Sequence, residues 1–175
     1  MPASIPLRDR LHAILDAPRV GMLSNDIVVP LEDGAALRDT IDWLAAAARA
    51  HRPDMIAGIE ARGFLFATAV AYALGLGFVA LRKEGRLPGE VVTRPYATEY
   101  ASGALELRAN AVRHGQRVVV VEDLLASGGT LEAAVAMLRQ IGAEVPAAIC
   151  VVELKFLDGR RRLDIPVESL LSYDT

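Results

Sequence analysis

The sequence predicts a single-domain α/β fold, a mostly parallel sheet flanked by helices. Three observations carry this expectation. Short apolar runs of strand length alternate with amphipathic stretches of helical period. One of those runs is four consecutive valines, Val118, Val119, Val120 and Val121. The chain has 175 residues with 53% apolar composition, enough for one compact core. Alternating strands and helices favour parallel pairing through right-handed crossovers.

The elements follow in order. Leu7, Leu11 and Ile14 mark a short amphipathic N-terminal helix, and Leu37, Ile41, Leu44 and Ala48 a longer one. Met55–Ile59 is a strand run that ends at a charged turn, Glu60, Ala61, Arg62 and Gly63. Residues 64–74 are apolar on most sides and predict a buried helix, stopped near Gly75. Residues 78–81 form the next strand. Residues 82–95 hold Lys83, Arg86, Pro88, Gly89, Arg94 and Pro95 with little apolar content, which predicts a mobile loop or an extended hairpin. Strand alternation resumes over residues 104–107. The four valines read as a strand covered on both faces. Leu131, Val135, Leu138 and Ile141 give a helix face, residues 147–152 another strand, and residues 166–173 a last edge strand. No internal repeat, low-complexity tract or clear linker interrupts the pattern.

Composition narrows the function classes. The net charge is −3 and no long basic run occurs, which speaks against nucleic-acid binding. The single cysteine, Cys150, allows no internal disulfide and sits in an apolar run as a buried thiol. Residues 1–10 lack the pattern of a secretory signal, and no apolar run of roughly 18 residues spans a membrane. A soluble cytoplasmic protein is expected.

The strongest chemical signal runs from Val118 to Thr130. A buried strand leads into two carboxylates, Glu122 and Asp123, at the edge where open α/β sheets bind ligands. A small-residue loop follows, Ala126, Ser127, Gly128, Gly129 and Thr130, and then a helix begins. The two glycines let the backbone approach a ligand, and N–H groups at a helix start attract anions. Ser127 and Thr130 add hydroxyl donors. The carboxylates repel phosphate but accept hydrogen bonds from sugar hydroxyls. One ligand bearing a phosphate and a ribose diol accounts for the whole segment. The plainer alternative is an ordinary turn with Thr130 as helix N-cap. There is no Gly-x-x-x-x-Gly-Lys-Ser/Thr loop. The loose dinucleotide pattern from Gly75 to Ala80 lies at a helix end before a strand, the reverse of the required order, and reads as a C-cap and turn.

At these residues the chain resembles the type I phosphoribosyltransferases, and among them the adenine-using members. The likeness covers Ile56 to Phe66 (through Gly58, Glu60, Arg62 and Gly63), Arg82 to Gly89, Tyr96 to Tyr100 including Glu99, Leu105-Glu106-Leu107, and Val152-Glu153-Leu154. It is good from about residue 55 to 173 and weak before. The resemblance implies a transfer of the 5-phosphoribosyl group from phosphoribosyl pyrophosphate (PRPP) to adenine, giving AMP and pyrophosphate in purine salvage.

The resemblance also implies roles. Ala126, Ser127, Gly128, Gly129 and Thr130 would cradle the 5′-phosphate, and Glu122 and Asp123 would hold the ribose hydroxyls. Arg62 would face pyrophosphate beside a non-proline cis peptide at Glu60-Ala61. Lys83 and Arg86 would also contact pyrophosphate, in relatives partly across a dimer interface, which implies a homodimer. Glu99 would act as acid or base near the purine N7. Leu154 would pack on the base, and backbone near Leu23 and Asn25 would read its edge. Mg²⁺ would be held mainly by PRPP and water rather than by side chains. Residues 1–35 would form a hood over the base, and residues 82–103 a mobile catalytic loop. Where the family has an aromatic-Arg-Asp-Ile stretch, this chain has Ser24, Asn25, Asp26 and Ile27. Ser24 cannot stack on a base, and Phe156 is either its substitute or a core residue. Two other outcomes remain: transfer to hypoxanthine, guanine or xanthine, and a PRPP-sensing regulator without turnover. A regulator usually carries a nucleic-acid-binding module, for which this chain has neither spare length nor a basic patch.

Overall fold

The computed structural model describes residues 29–97 and 102–174. After a short 3-10 turn, Val29–Glu32, helix α1 spans Gly34–Ala50. Asp33 caps α1, its carboxylate accepting the N–H groups of Ala35 at 2.8 Å and Ala36 at 2.9 Å. Strand β1 (Met55–Ile59) leads to helix α2 (Arg62–Leu74), which ends at Gly75 in the left-handed conformation, φ 68°. The dinucleotide-like pattern is therefore the expected helix C-cap. Strands β2 (Gly77–Lys83), β3 (Val91–Ala97), β4 (Ser102–Arg108) and β5 (Val118–Leu125) follow. Helix α3 (Gly129–Gln140) and strands β6 (Ala148–Leu154) and β7 (Val167–Tyr173) complete the chain.

The seven strands form one sheet in the order β3-β4-β2-β1-β5-β6-β7. From β2 to β7 the pairing is parallel, and β4 and β3 add antiparallel to the β2 edge. The segment read as a loop or a hairpin, residues 82–95, thus holds the end of β2 and most of β3, which pairs antiparallel with β4. Pro95 sits on the outermost strand, where a missing N–H is tolerated.

Strand order explains where the site lies. From β1 the chain moves to one side, through α2 to β2, while from β5 it moves to the other, through α3 to β6. Right-handed crossovers then place α2 and α3 on opposite faces. Two apolar clusters result. One packs α1 and α2 on Val119, Val121 and Ile149, and the other packs α3 on Val118, Val120, Leu105 and Leu107. All four valines are fully buried between the layers, each contributing about 1.5–3 kcal/mol. The carboxyl ends of β1 and β5, side by side, form the switch point at which such sheets bind ligands.

Two details differ from the sequence expectations. Strand β5 runs on through the acid pair to Leu125, so Glu122 and Asp123 are strand residues held by pairing with β6. Likewise β2 extends to Lys83, because its last residues pair with Glu106 and Leu105 of β4. The expected helix over Leu7, Leu11 and Ile14 lies outside the described residues.

Candidate active site

The turn after β1 brings the first group together. The Glu60-Ala61 peptide is cis, and α2 begins immediately after it at Arg62. Arg62 Nε lies 2.6 Å from Asp123 Oδ2, with the Asp123 side chain only 5% exposed. Arg62 is therefore a partner of a buried carboxylate and not a surface ion pair. Gly63 sits directly over Glu122: a Cβ there would be 2.6 Å from Glu122 Oε1. A side chain at this position would force the Glu122 carboxyl to move.

Glu122 and Asp123 are both buried. The Glu122 carboxyl is pushed well above its ordinary value by burial first, and then by the Asp123 carboxyl beside it. Glu122 Oε2 has no hydrogen-bond partner among the described residues. A buried acceptor in that state suits a hydroxyl donor from a ligand. The protonation has a thermodynamic sign. Above the ordinary value of 4.5 the unfolded chain has released this proton while the folded chain keeps it. Stability therefore falls as pH rises from there through the raised value. Glu122→Gln, which has no proton to lose, is expected to gain melting temperature relative to wild type as pH rises through that window. A constant difference between the two chains across pH would exclude it.

The loop from Ala126 to Thr130 is set by backbone packing. Gly128, and not Thr130, caps α3; it has φ 83° and the helix starts at Gly129. Gly128 and Gly129 are buried, and Ser127 and Thr130 are half-buried. A Cβ on Gly128 would collide with the Gly159 carbonyl, and one on Gly129 with the Ala97 carbonyl. The end of β3 thus lies against the first turn of α3.

Glu60 organises the basic residues. It accepts a hydrogen bond from Arg82 Nη2 at 3.2 Å and from the Lys83 N–H at 2.9 Å. The Arg82 hydrogen bond, with the Lys83 N–H, holds its carboxyl below the ordinary value. Arg82 Nη1 donates to the Arg86 carbonyl at 3.0 Å. Glu106 accepts the N–H groups of Arg86 at 3.2 Å and Leu87 at 3.3 Å, and the Gly85 N–H does most to lower its carboxyl. The side chains of Lys83, at the end of β2, and of Arg86, on the turn so ordered, are exposed. Leu154 is buried at the end of β6, in the cluster with Leu124 and Ala126. Phe156 is 43% exposed in the turn Lys155–Leu157, so it is not a core residue.

The structure therefore gathers Arg62, Glu122, Asp123 and the residues from Ala126 to Thr130 at one switch point, with the backbone of Lys83 tied to it through Glu60. Glu99, Leu23, Asn25 and Ser24 lie outside the described residues. Sequence reasoning gave no role to Glu60, Gly63, Arg82, Glu106 or Gly159. Glu60 and Gly63 flank Arg62 in the chain, and that adjacency was the available signal. Arg82 and Glu106 meet only through β2–β4 pairing. Among the described residues, no group of three or more His, Cys, Asp or Glu side chains is placed to hold a metal ion. No described helix is long and apolar enough to cross a membrane.

Residues 29–171 match the model of the phosphoribosyl transferase domain. The chain is 49% identical over 168 residues to an adenine phosphoribosyltransferase of Acidiphilium cryptum, covering 96% of this chain and 98% of that one. The crystal structure of adenine phosphoribosyltransferase from Thermoanaerobacter pseudethanolicus superposes with a TM-score of 0.87 at 41% identity, covering 94% and 99% of the two chains. The Saccharomyces cerevisiae enzyme, solved with an imino-altritol bisphosphate and adenine, gives 0.84 at 36% identity, covering 94% and 98%.

Proposed function

The chain belongs to the phosphoribosyltransferase family, and from that premise we propose that it is a purine-salvage enzyme that transfers the 5-phosphoribosyl group of PRPP to adenine, forming AMP and pyrophosphate. The observation that carries the reading is the convergence of Arg62 and the Glu122–Asp123 pair with a glycine loop at the start of α3.

The N–H groups at the start of α3 and the hydroxyls of Ser127 and Thr130 bind the 5′-phosphate. Glu122 and Asp123 accept hydrogen bonds from the ribose hydroxyls. These contacts hold C1 of the ribose in line for the base, an orientation effect. As the bond from C1 to pyrophosphate lengthens, Arg62, Lys83 and Arg86 meet the growing negative charge. Hard oxygen donors suit Mg²⁺, and among the described residues no group of three or more His, Cys, Asp or Glu side chains is placed to hold it, so the ion would rest chiefly on PRPP oxygens and water. When bound it supplies further charge neutralisation at the leaving group. Leu154 and backbone near Leu23 and Asn25 would receive the base beneath a hood of residues 1–35. Phe156, exposed one turn beyond Leu154, is available to replace the aromatic that Ser24 lacks. Movement of residues 82–103 would shut out water, which otherwise hydrolyses PRPP.

Glu99 is assigned the proton exchange with the base. Ala97, two residues before it, lies against Gly129 of the phosphate loop, which supports the assignment. Glu99→Gln is expected to lower kcat by about 100-fold while leaving PRPP affinity nearly intact. Unchanged kcat would remove Glu99 from the mechanism.

A homodimer is part of the proposal. Leu65 is 48% and Tyr72 89% exposed on α2, the kind of apolar surface a partner covers. Sedimentation as a monomer would remove it. A cytoplasmic location suits a chain whose one cysteine is buried and free. The decisive assay is pyrophosphate release from PRPP and Mg²⁺ with each purine base in turn. Turnover with adenine is expected. Turnover only with an oxopurine would reassign the acceptor, and PRPP binding without turnover on any base would make the chain a regulator.

A further inference from the structure

Beyond the switch point, the segment from Lys155 to Arg162 stands out because little apolar packing holds it. It consists of two short 3-10 turns, Lys155–Leu157 and Gly159–Arg162, with Asp158 between them at φ 53°. Lys155, Phe156, Asp158, Arg160, Arg161 and Arg162 are all exposed, and only Gly159 is buried. Yet this segment supplies one wall of the phosphate loop. A Cβ on Gly159 would collide with the Ala126 carbonyl and stand 3.0 Å from the Gly128 nitrogen. Gly128 meets the Gly159 carbonyl in return. Backbone rests on backbone at both glycines, so the loop takes its shape from where Gly159 is held.

Arg160, the next residue, is what holds it. Its guanidinium grips the buried Glu153 carboxylate through Nε to Oε1 and through Nη2 to Oε2 at 2.7 Å. Its Nη1 donates to the Val167 carbonyl at 2.6 Å. Ser169 Oγ donates to Glu153 Oε2 at 3.0 Å. Glu153 stands on β6 opposite Leu125 of β5, so the anchor is continuous with the strand that carries the acid pair. Burial tends to raise the Glu153 carboxyl, but the Arg160 and Ser169 hydrogen bonds outweigh it and the carboxyl lies below its ordinary value. The other ion pairs of the segment, Lys155 with Asp174, Arg161 with Asp158 and Arg162 with Glu132, are exposed and contribute little. A forked, two-point grip on a buried carboxylate is the strong one.

We propose that Arg160 is a positioning residue for the phosphate loop: clamped by Glu153, it fixes Gly159 against Ala126 and Gly128 and so sets the cradle for the 5′-phosphate of PRPP and AMP. The proposal rests on the phosphoribosyl transfer reading given above. It requires a fork and not merely a charge, because lysine cannot span both carboxylate oxygens and the Val167 carbonyl.

The test uses Arg160→Met, Arg160→Lys and Gly159→Ala, with AMP affinity by calorimetry, steady-state constants for PRPP and adenine, and melting temperature. AMP affinity is expected to weaken and the KM for PRPP to rise by about 10- to 100-fold in all three. The KM for adenine should stay close to wild type. Gly159→Ala attacks the same contact while leaving the ion pair in place, so it carries the test if the Arg160 variants fold poorly. Wild-type AMP affinity in folded Arg160→Met or Gly159→Ala overturns the proposal. So does a loss that falls equally on adenine and follows the melting temperature, or full rescue by Arg160→Lys. Wild-type protein that binds neither AMP nor PRPP overturns the function reading itself, a result separable from these.

Discussion

Gly128→Ala is expected to lower kcat/KM for PRPP by about 100- to 1000-fold, the product of a misplaced loop and weakened phosphate contacts. Two causes act together. The residue holds φ 83°, which costs an L side chain about 1–2 kcal/mol. Its new methyl group would also strike the Gly159 carbonyl, so the loop must move away from its wall. Gly75→Ala is the control. Gly75 also has a positive φ, 68°, but nothing lies within 4 Å of its Cβ position, and it is remote from the site. It should lose stability by a similar backbone cost and keep its PRPP constants. Equal losses of kcat/KM in the two variants would sink the loop assignment.

Arg62→Met carries the second large effect. It removes the guanidinium 2.6 Å from Asp123 Oδ2 and leaves a carboxylate with 5% exposed side chain without that partner. A stability loss of about 1–3 kcal/mol is expected, limited because Arg62 is itself partly exposed. The catalytic loss should be greater, on the order of 100- to 1000-fold in kcat, since a cation facing the departing pyrophosphate acts mainly in the transition state. Thermal melting and steady-state kinetics on the same preparation separate the two. A kcat within threefold of wild type, with melting temperature reduced, would confine Arg62 to a structural role.

Much of the molecule was legible because short-range chemistry specifies it. The run of valines read as a strand covered on both faces, and the glycines after the acid pair as a close approach, with an ordinary turn as the plainer alternative. Their order along the chain placed carboxylates and anion site at the same sheet edge. Gly75 was recognisable as a C-cap because a helix pattern stopped there before a strand. The end of β5 was less legible. Two carboxylates read as the close of a strand, yet β6 pairing carries β5 to Leu125. Thr130 had the chemistry of an N-cap, but packing against Gly159 turned Gly128 into the cap.

By itself, the sequence determined the alternation of strands and helices, the acid pair and the glycine loop that follows it. Each of these is a local property of residue type and spacing. Tertiary structure alone decided that Arg62 pairs with Asp123, that Gly63 makes room for Glu122, and that Glu60 gathers Arg82 and the Lys83 backbone. It also decided that Glu153 and Arg160 clamp the segment on which the phosphate loop rests. These contacts depend on strand order and on which helix starts stand beside which strand ends. A carboxylate or a glycine carries no mark of the distant residue it will meet, because that meeting is fixed by the folding of the whole sheet.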